Sequence, residues 1–190
     1  FTCMNTDKIC IFTDTGKMHT IKAVDIPLGR FRDKGTPVDN LSNYDSSQER
    51  MLYVAPVGQL RSDRLLFVTK TSMCKLVEGA EFDVAKRTIA STKLADEDEL
   101  IFIGSASEME QIVLQSHGGC FLRFLTQEVS TMKKTALGVR GMKLADDDYL
   151  EHAYLLAGHQ EYTISYHDKE YALNKVRLAK RDTKGIKPRI

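Results

Sequence analysis

One pattern recurs four times along the sequence, and it constrains the fold more than any other feature. Each unit has a short apolar strand, a polar turn, a returning strand, a basic segment and a third apolar strand. The opening strands are predicted at residues 9–13, 65–69, 112–116 and 162–166. Their last residues lie 56, 47 and 50 positions apart. A period near 50 residues with several strands per unit is typical of propeller blades.

The turns and the later strands of each unit follow the same spacing. Gly16, Gly119 and Asp168 stand at hairpin tips, where positive φ angles are tolerated. An acidic stretch at 93–100 repeats at 143–150. Returning strands are predicted at 18–21, 73–77, 120–125 and 171–176, and third strands at 51–54, 100–103 and 150–156. This alternation predicts an all-β domain.

The repeats divide the chain into four approximate units within a single domain. They cover residues 7–58, 63–104, 110–157 and 160–190. The last unit stops before its third strand, and the chain begins at Phe1 in the middle of a pattern. One blade cannot bury both of its faces alone. We therefore expect a fragment that lacks further blades.

Composition excludes several kinds of site. The 27 Lys and Arg residues nearly balance the 26 Asp and Glu residues, so the net charge alone gives no sign of a nucleic-acid partner. Any DNA-binding face must come from the separation of basic and acidic residues along the chain. The four cysteines show no zinc-ligand spacing, which predicts reduced thiols in a cytoplasmic protein and no metal site. No apolar run is long enough to span a bilayer, and no signal peptide is recognisable.

A family resemblance rests on the repeated motifs. The motif pattern runs from a T-x-x-G turn through a returning strand and an Arg-x-x-x-Gly segment to the element K-L-x-x-x-D-x-L, which occurs at 93–100 and 143–150. The best matches are 69–100 and 116–150, and the most specific stretch is 138–148, GVRGMKLADDD. Over roughly residues 7–190 the chain resembles the C-terminal domain of bacterial type IIA topoisomerase A subunits, those of gyrase and topoisomerase IV.

The resemblance implies a fold and a role. The family's fold is a β-pinwheel, a propeller-like disc of four-stranded blades that exchange strands, with about four blades in this chain. The disc wraps double-stranded DNA around its basic perimeter in the bacterial cytoplasm, at the nucleoid. Its implied partners are the B subunit of the topoisomerase and the A-subunit dimer. No catalytic residue and no cofactor are expected here, because ATP and Mg²⁺ serve the parent enzyme only.

The subfamily is predicted from the first unit. Gyrase A subunits carry a Q-R-R-G-G-K-G box there, and no such string occurs in this chain. The nearest stretch, RFRDKG at 30–35, follows a proline and precedes a G-x-x-V-x-N-L turn. That arrangement resembles topoisomerase IV, which we favour over gyrase.

The basic segments supply the predicted DNA-binding residues. Wrapping needs many phosphate contacts on a curved, rigid track and little base reading. Equivalent cations in successive units would supply such a track. The predicted residues are Arg30, Arg32 and Lys34 in the first unit, Lys86 and Arg87 in the second, Lys133, Lys134 and Arg140 in the third, and Lys180, Arg181 and Lys184 in the fourth.

Simpler interpretations stand beside this one. Each cation could belong to an ordinary solvated surface, and Lys75 and Arg123, within strands, could form cross-strand ion pairs. The acidic run 146–148 could suggest a cation site, but it is interpreted as a plain turn because it recurs at 96–98 and no EF-hand pattern is present. A different class of function is a propeller-like protein-interaction scaffold, which needs no continuous basic rim.

Overall fold

The computed structural model describes residues 1–158 and 160–188 of the 190-residue chain. This part contains one single-turn α-helix, α1, at Val57–Leu60. No helix within it is long and apolar enough to cross a membrane. The strands are β1 Lys8–Thr13, β2 Lys17–Lys22, β3 Met51–Pro56, β4 Arg64–Thr69, β5 Met73–Glu78, β6 Thr88–Ala90, β7 Leu100–Ser105, β8 Gln111–Ser116, β9 Phe121–Leu125, β10 Val139–Arg140, β11 Leu150–Leu156, β12 Thr163–Tyr166 and β13 Lys169–Ala172.

The strands form four antiparallel sheets, one for each predicted unit. Their orders are β3-β1-β2-β6, β10-β5-β4-β7, β11-β8-β9 and β12-β13. The predicted all-β pinwheel is confirmed. The end of the predicted fourth unit, residues 189–190, lies outside the described residues.

The core lies between neighbouring sheets. Phe12 in the first sheet packs edge-on against Phe82, with ring centroids 4.9 Å apart, and both side chains are fully buried. A second cluster around Leu66, Ile112 and Phe124 fills the space between the second and third sheets. Because these sheets are covered on both faces, the opening strands are continuous apolar runs rather than strict alternations.

The returning strands end in short 3-10 turns. These turns are Ala23–Asp25, Gly79–Phe82, Thr126–Glu128 and Leu173–Lys175. The predicted strand at 171–176 was therefore too long, because the chain turns after Ala172 as it does in the other units. In the second unit, a Cβ at Gly79 would lie 2.0 Å from the carbonyl oxygen of Leu60, so only glycine fits there.

The outermost strand of a sheet comes from the next unit along the chain. β6 belongs to the second unit but pairs with β2, and β10 belongs to the third unit but pairs with β5. In the third sheet, Ile186 bridges to Phe121 at the equivalent place. At the opposite edge, β7 contacts both β3 and β11. The third strands of successive sheets thus lie side by side at the inner edge, and the exchanged strands lie at the outer edge.

Candidate nucleic-acid interface

The segment after each hairpin crosses onto the preceding sheet. The Thr20 N–H of the first sheet donates to the Arg87 carbonyl at 2.8 Å. The Met132 N–H donates to the Leu76 carbonyl of the second sheet at 2.8 Å. The Ala179 N–H donates to the Arg123 carbonyl of the third sheet, also at 2.8 Å. The basic segments of units two to four therefore lie at the same outer edge of three consecutive sheets.

Most of the predicted cations have side chains that face solvent. Nine of the eleven are exposed, and within residues 1–158 and 160–188 the side chains of seven of these nine make no hydrogen bond or ion pair. An exposed, unpaired cation keeps its full capacity for phosphate. The seven are Arg30, Arg32, Lys34, Lys86, Arg87, Lys180 and Lys184.

Lys133 has one weak partner. Its ammonium lies 3.3 Å from Glu81 Oε1, and its side chain is 81% exposed. An ion pair this exposed contributes little and exchanges readily for a phosphate contact. Lys133 can therefore contact phosphate only by giving up this ion pair, and it is counted apart from the seven unpaired cations.

Lys134 and Arg181 hold the crossing segments in place instead. Lys134 donates from its main-chain N–H to Glu81 Oε2 at 3.2 Å and from Nζ to the Glu81 carbonyl at 2.9 Å. Arg181 repeats this arrangement on Glu128, donating from N–H at 3.0 Å and from Nε at 3.0 Å. We call each set a glutamate latch. That these two cations bind phosphate stays a prediction, whereas the two glutamates do not appear among the residues singled out from the sequence.

Arg140 is paired with a carboxylate. Its guanidinium donates from Nε and Nη2 to the two carboxylate oxygens of Asp182. This bond from Arg140 is the main reason that the pKa of Asp182 lies below its ordinary value. Arg140 also accepts a hydrogen bond from Arg181 Nη1 at its carbonyl. Arg140 therefore already has a carboxylate partner, in a pair whose two side chains are both exposed.

Lys75, in strand β5, contacts the segment that crosses onto the second sheet, and its burial is unusual for a lysine. Its side chain is buried, and Nζ donates to the carbonyls of Lys134 and Ala136 at 2.8 and 2.7 Å. The suggested cross-strand ion pair is absent from the described residues, because the ammonium is satisfied by main-chain oxygens. Burial lowers the pKa of Lys75 to about 8, partly offset by Glu81. Lys75 thus anchors the crossing segment that carries Lys133.

A histidine takes the corresponding place in the first sheet. His19 pairs across from Ile11 as Lys75 pairs across from Phe67. Its ring nitrogens lie 3.0 Å from Thr88 Oγ1 and 3.0 Å from Glu49 Oε1. Burial would raise the pKa of Glu49, but hydrogen bonds from Thr13, His19 and Thr15 outweigh it and hold that pKa below its ordinary value. This buried network fixes the segment that follows Lys86 and Arg87.

Carboxylates of the acidic turns at 96–98 and 146–148 accept hydrogen bonds from the tips of the hairpins. Asp98 accepts hydrogen bonds from the Thr71 N–H at 3.1 Å and from the Thr71 hydroxyl at 2.6 Å. Asp148 accepts from the Gly118 N–H at 2.9 Å. These carboxylates are thus occupied at the turns, whereas the basic segments follow the outer strands. In the second and third sheets, the turn carboxylates thus lie at the hairpin tips and not on the crossing segments.

Comparison with known proteins agrees with this architecture. A family model described as "DNA gyrase C-terminal domain, beta-propeller" matches residues 7–46, 63–107 and 110–157. The A subunit of DNA gyrase from Ureaplasma parvum is 27% identical over 184 residues, covering 94% of this chain and 22% of that protein. The chain thus spans about a fifth of the length of this relative.

Two solved structures share the fold. The C-terminal domain of DNA topoisomerase IV superposes with a TM-score of 0.86 at 24% identity, covering 96% of this chain and 58% of that one. The DNA gyrase A C-terminal domain superposes with a TM-score of 0.71 at 22% identity, covering 97% and 60%. The family resemblance read from the repeats is confirmed: the chain belongs to the family of DNA gyrase C-terminal β-propeller domains.

Proposed function

We propose that this chain is a DNA-wrapping module from the A subunit of a type IIA topoisomerase. The observation that carries the proposal is the repeated crossing of a basic segment onto the outer edge of three consecutive sheets. Phosphates along a bent duplex meet such an edge at regular intervals. The proposed role is to present a bent DNA segment to the strand-passage enzyme.

The energetics favour binding that depends strongly on salt. Bending 20–30 base pairs by 40–90° costs about 1–6 kcal/mol. The seven solvent-facing cations must offset that cost through phosphate contacts. Each phosphate contact contributes about −0.9 to the slope of log K against log salt. If all seven make contact, the slope should approach about −6.

Within the family, we favour the A subunit of topoisomerase IV. The supporting feature is the segment 26–41, which has a proline before its basic-aromatic stretch and no Q-R-R-G-G-K-G box. The implied work is decatenation and supercoil relaxation in the bacterial cytoplasm, at the nucleoid. The implied partners are the B subunit of the enzyme and a second copy of the A subunit, and ATP and Mg²⁺ would act in the parent enzyme alone.

Gyrase is the second candidate, because the curated relatives with the matching repeats are named as A subunits of DNA gyrase. The two differ in outcome on closed circular DNA. The full-length protein, assembled with its topoisomerase partner and given ATP and Mg²⁺, should decatenate and relax DNA in the favoured case. Introduction of negative supercoils would establish gyrase instead.

DNA binding itself is tested on the chain alone. Duplexes of about 40 base pairs, a length that spreads the bend over several helical turns, are titrated across a range of salt concentrations. We expect binding that weakens linearly in log K against log salt, with little sequence preference. Absence of binding at low salt would contradict wrapping and favour the protein-interaction scaffold.

A further inference from the structure

A tight turn in the first unit holds an aromatic side chain out in solvent. The Asp33 N–H donates to the Arg30 carbonyl at 2.9 Å, and the Arg30 N–H donates to Asp33 Oδ2 at 2.6 Å. These reciprocal bonds close a four-residue turn with Phe31 and Arg32 at its tip. We call residues 28–34 the basic turn.

The two apolar residues of the basic turn are the most exposed large apolar residues in the described part of the chain. Leu28 and Phe31 are 105% and 104% exposed, and the next, Met4, is 71% exposed. Single exposed apolar residues are ordinary. Phe31 stands fully exposed at the tip of the hydrogen-bonded turn Arg30–Asp33, and Leu28 is fully exposed two residues before that turn.

The charges around this tip favour a polyanion as its partner. Arg30, Arg32 and Lys34 flank Phe31, and their side chains have no partner among the described residues. Asp33, the one acidic residue within the basic turn, accepts a hydrogen bond from the Arg30 N–H. Cations that only follow phosphates need no apolar side chain between them. Apolar wedges beside Arg or Lys are what DNA-kinking proteins insert between base steps.

We propose that Phe31 inserts at a base step of the bound duplex and kinks it. Arg30, Arg32 and Lys34 would then bind the phosphates on either side of the kink. This inference rests on the proposed DNA wrapping and adds to it a fixed bending point. Pyrimidine–purine steps such as TA unstack most readily. The basic turn therefore gives an otherwise sequence-neutral track a positional preference for such steps.

The chain offers a clean reporter for insertion. It contains no tryptophan, so Phe31→Trp creates a protein with a single one. Its fluorescence should be quenched when the indole stacks on bases. A duplex of about 40 base pairs, the length chosen for wrapping, carries 2-aminopurine in place of adenine at its TA steps. The 2-aminopurine should brighten on binding of the wild-type chain, because the step is unstacked.

The variant Phe31→Ala distinguishes base-step insertion from electrostatic binding, because it removes the aromatic ring and leaves every charge in place. Phe31→Ala should bind about five- to tenfold more weakly, in line with the loss of one stacked side chain. It should also lose the 2-aminopurine signal, yet keep the wild-type salt slope because no charge is removed. Val24→Ala is the matched control, since Val24 is 68% exposed in the same connection but lies outside the basic turn.

The outcomes distinguish this inference from the function on which it rests. If the wild-type chain binds DNA and Phe31→Ala keeps its affinity and its 2-aminopurine signal, insertion is wrong and wrapping stands. If the wild-type chain binds no DNA, wrapping itself fails. If the tryptophan fluorescence of the Phe31→Trp variant responds only to the rest of the topoisomerase and never to DNA, the tip docks on protein and the inference is overturned.

Discussion

The carbonyl oxygen of Lys134 lies 2.8 Å from the buried ammonium nitrogen of Lys75. This contact joins a strand of the second unit to a segment of the third. It shows how the exchanged segments are fixed, because a charge within one sheet satisfies the main chain of the segment that crosses it. His19 and Thr88 make the corresponding link in the first sheet.

Lys75 should leave a signature in the pH dependence of stability. Its pKa is about 8 in the folded chain, against an ordinary value of 10.5. Between these values the unfolded chain binds more protons, so unfolding becomes less favourable as the pH rises. The free energy of unfolding of the wild type, relative to Lys75→Met, should therefore increase by about 1–3 kcal/mol from pH 8 to pH 10.5. Urea denaturation at several pH values measures this difference, and a flat or falling difference would contradict the assignment.

Glu49 should act in the opposite pH range. Because its pKa is lowered in the folded state, its contribution to stability is fully present above the ordinary value of 4.5 and is lost as the pH falls below it. Glu49→Gln should reduce the free energy of unfolding near pH 7 by about 1–2 kcal/mol. That deficit should shrink as the pH falls below 4.5. Glu108→Gln, at an exposed site, is the control and should show no deficit; an equal loss there would refute the role of the buried network.

Two adjacent cations should separate stability from DNA binding. Arg181 is part of a glutamate latch, whereas the neighbouring Lys180 faces solvent. Arg181→Ala should lower the free energy of unfolding by about 1–2 kcal/mol, since it leaves main-chain oxygens without a donor. Lys180→Ala should change stability by less than about 0.5 kcal/mol while weakening DNA binding. Thermal denaturation and duplex titration of both variants test this, and the reverse pattern would exclude the latch.

The hairpins could be predicted from the sequence because each is local and repeats. Strands β4 and β8 are short apolar runs that end at polar turns, and their positions follow from the period. The exchanged strand β6 could not be predicted from its residues, because three residues show no alternation and their partner lies about 70 positions away. The exchange was expected only from the family resemblance.

The contacts around the crossing segments were also hard to predict, because they too join residues that are far apart in the sequence. A lysine in a strand is ordinarily solvated, and the burial of Lys75 arises only when the next unit crosses over it. Glu81 and Glu128 lie at the same place after their returning strands. That shared spacing was the available signal for the latches. Which cations face solvent depended on these contacts, so the sequence pattern grouped Lys134 and Arg181 with the others.

The most direct test of the wrapping account is the salt slope of a charge-neutralised variant. Replacing Lys86, Arg87, Lys180 and Lys184 by alanine removes four solvent-facing cations from the crossing segments. The matched control removes the same net charge from cations elsewhere, at Arg50, Arg61, Lys70 and Lys169.

Titration of a duplex of about 40 base pairs, the length used for the wrapping test, at several salt concentrations gives the slope of log K against log salt for each variant. The account predicts a slope shallower by about 3–4 for the crossing-segment variant and an unchanged slope for the control. Equal slopes for wild type and the crossing-segment variant, or an equal loss in the control, would contradict it.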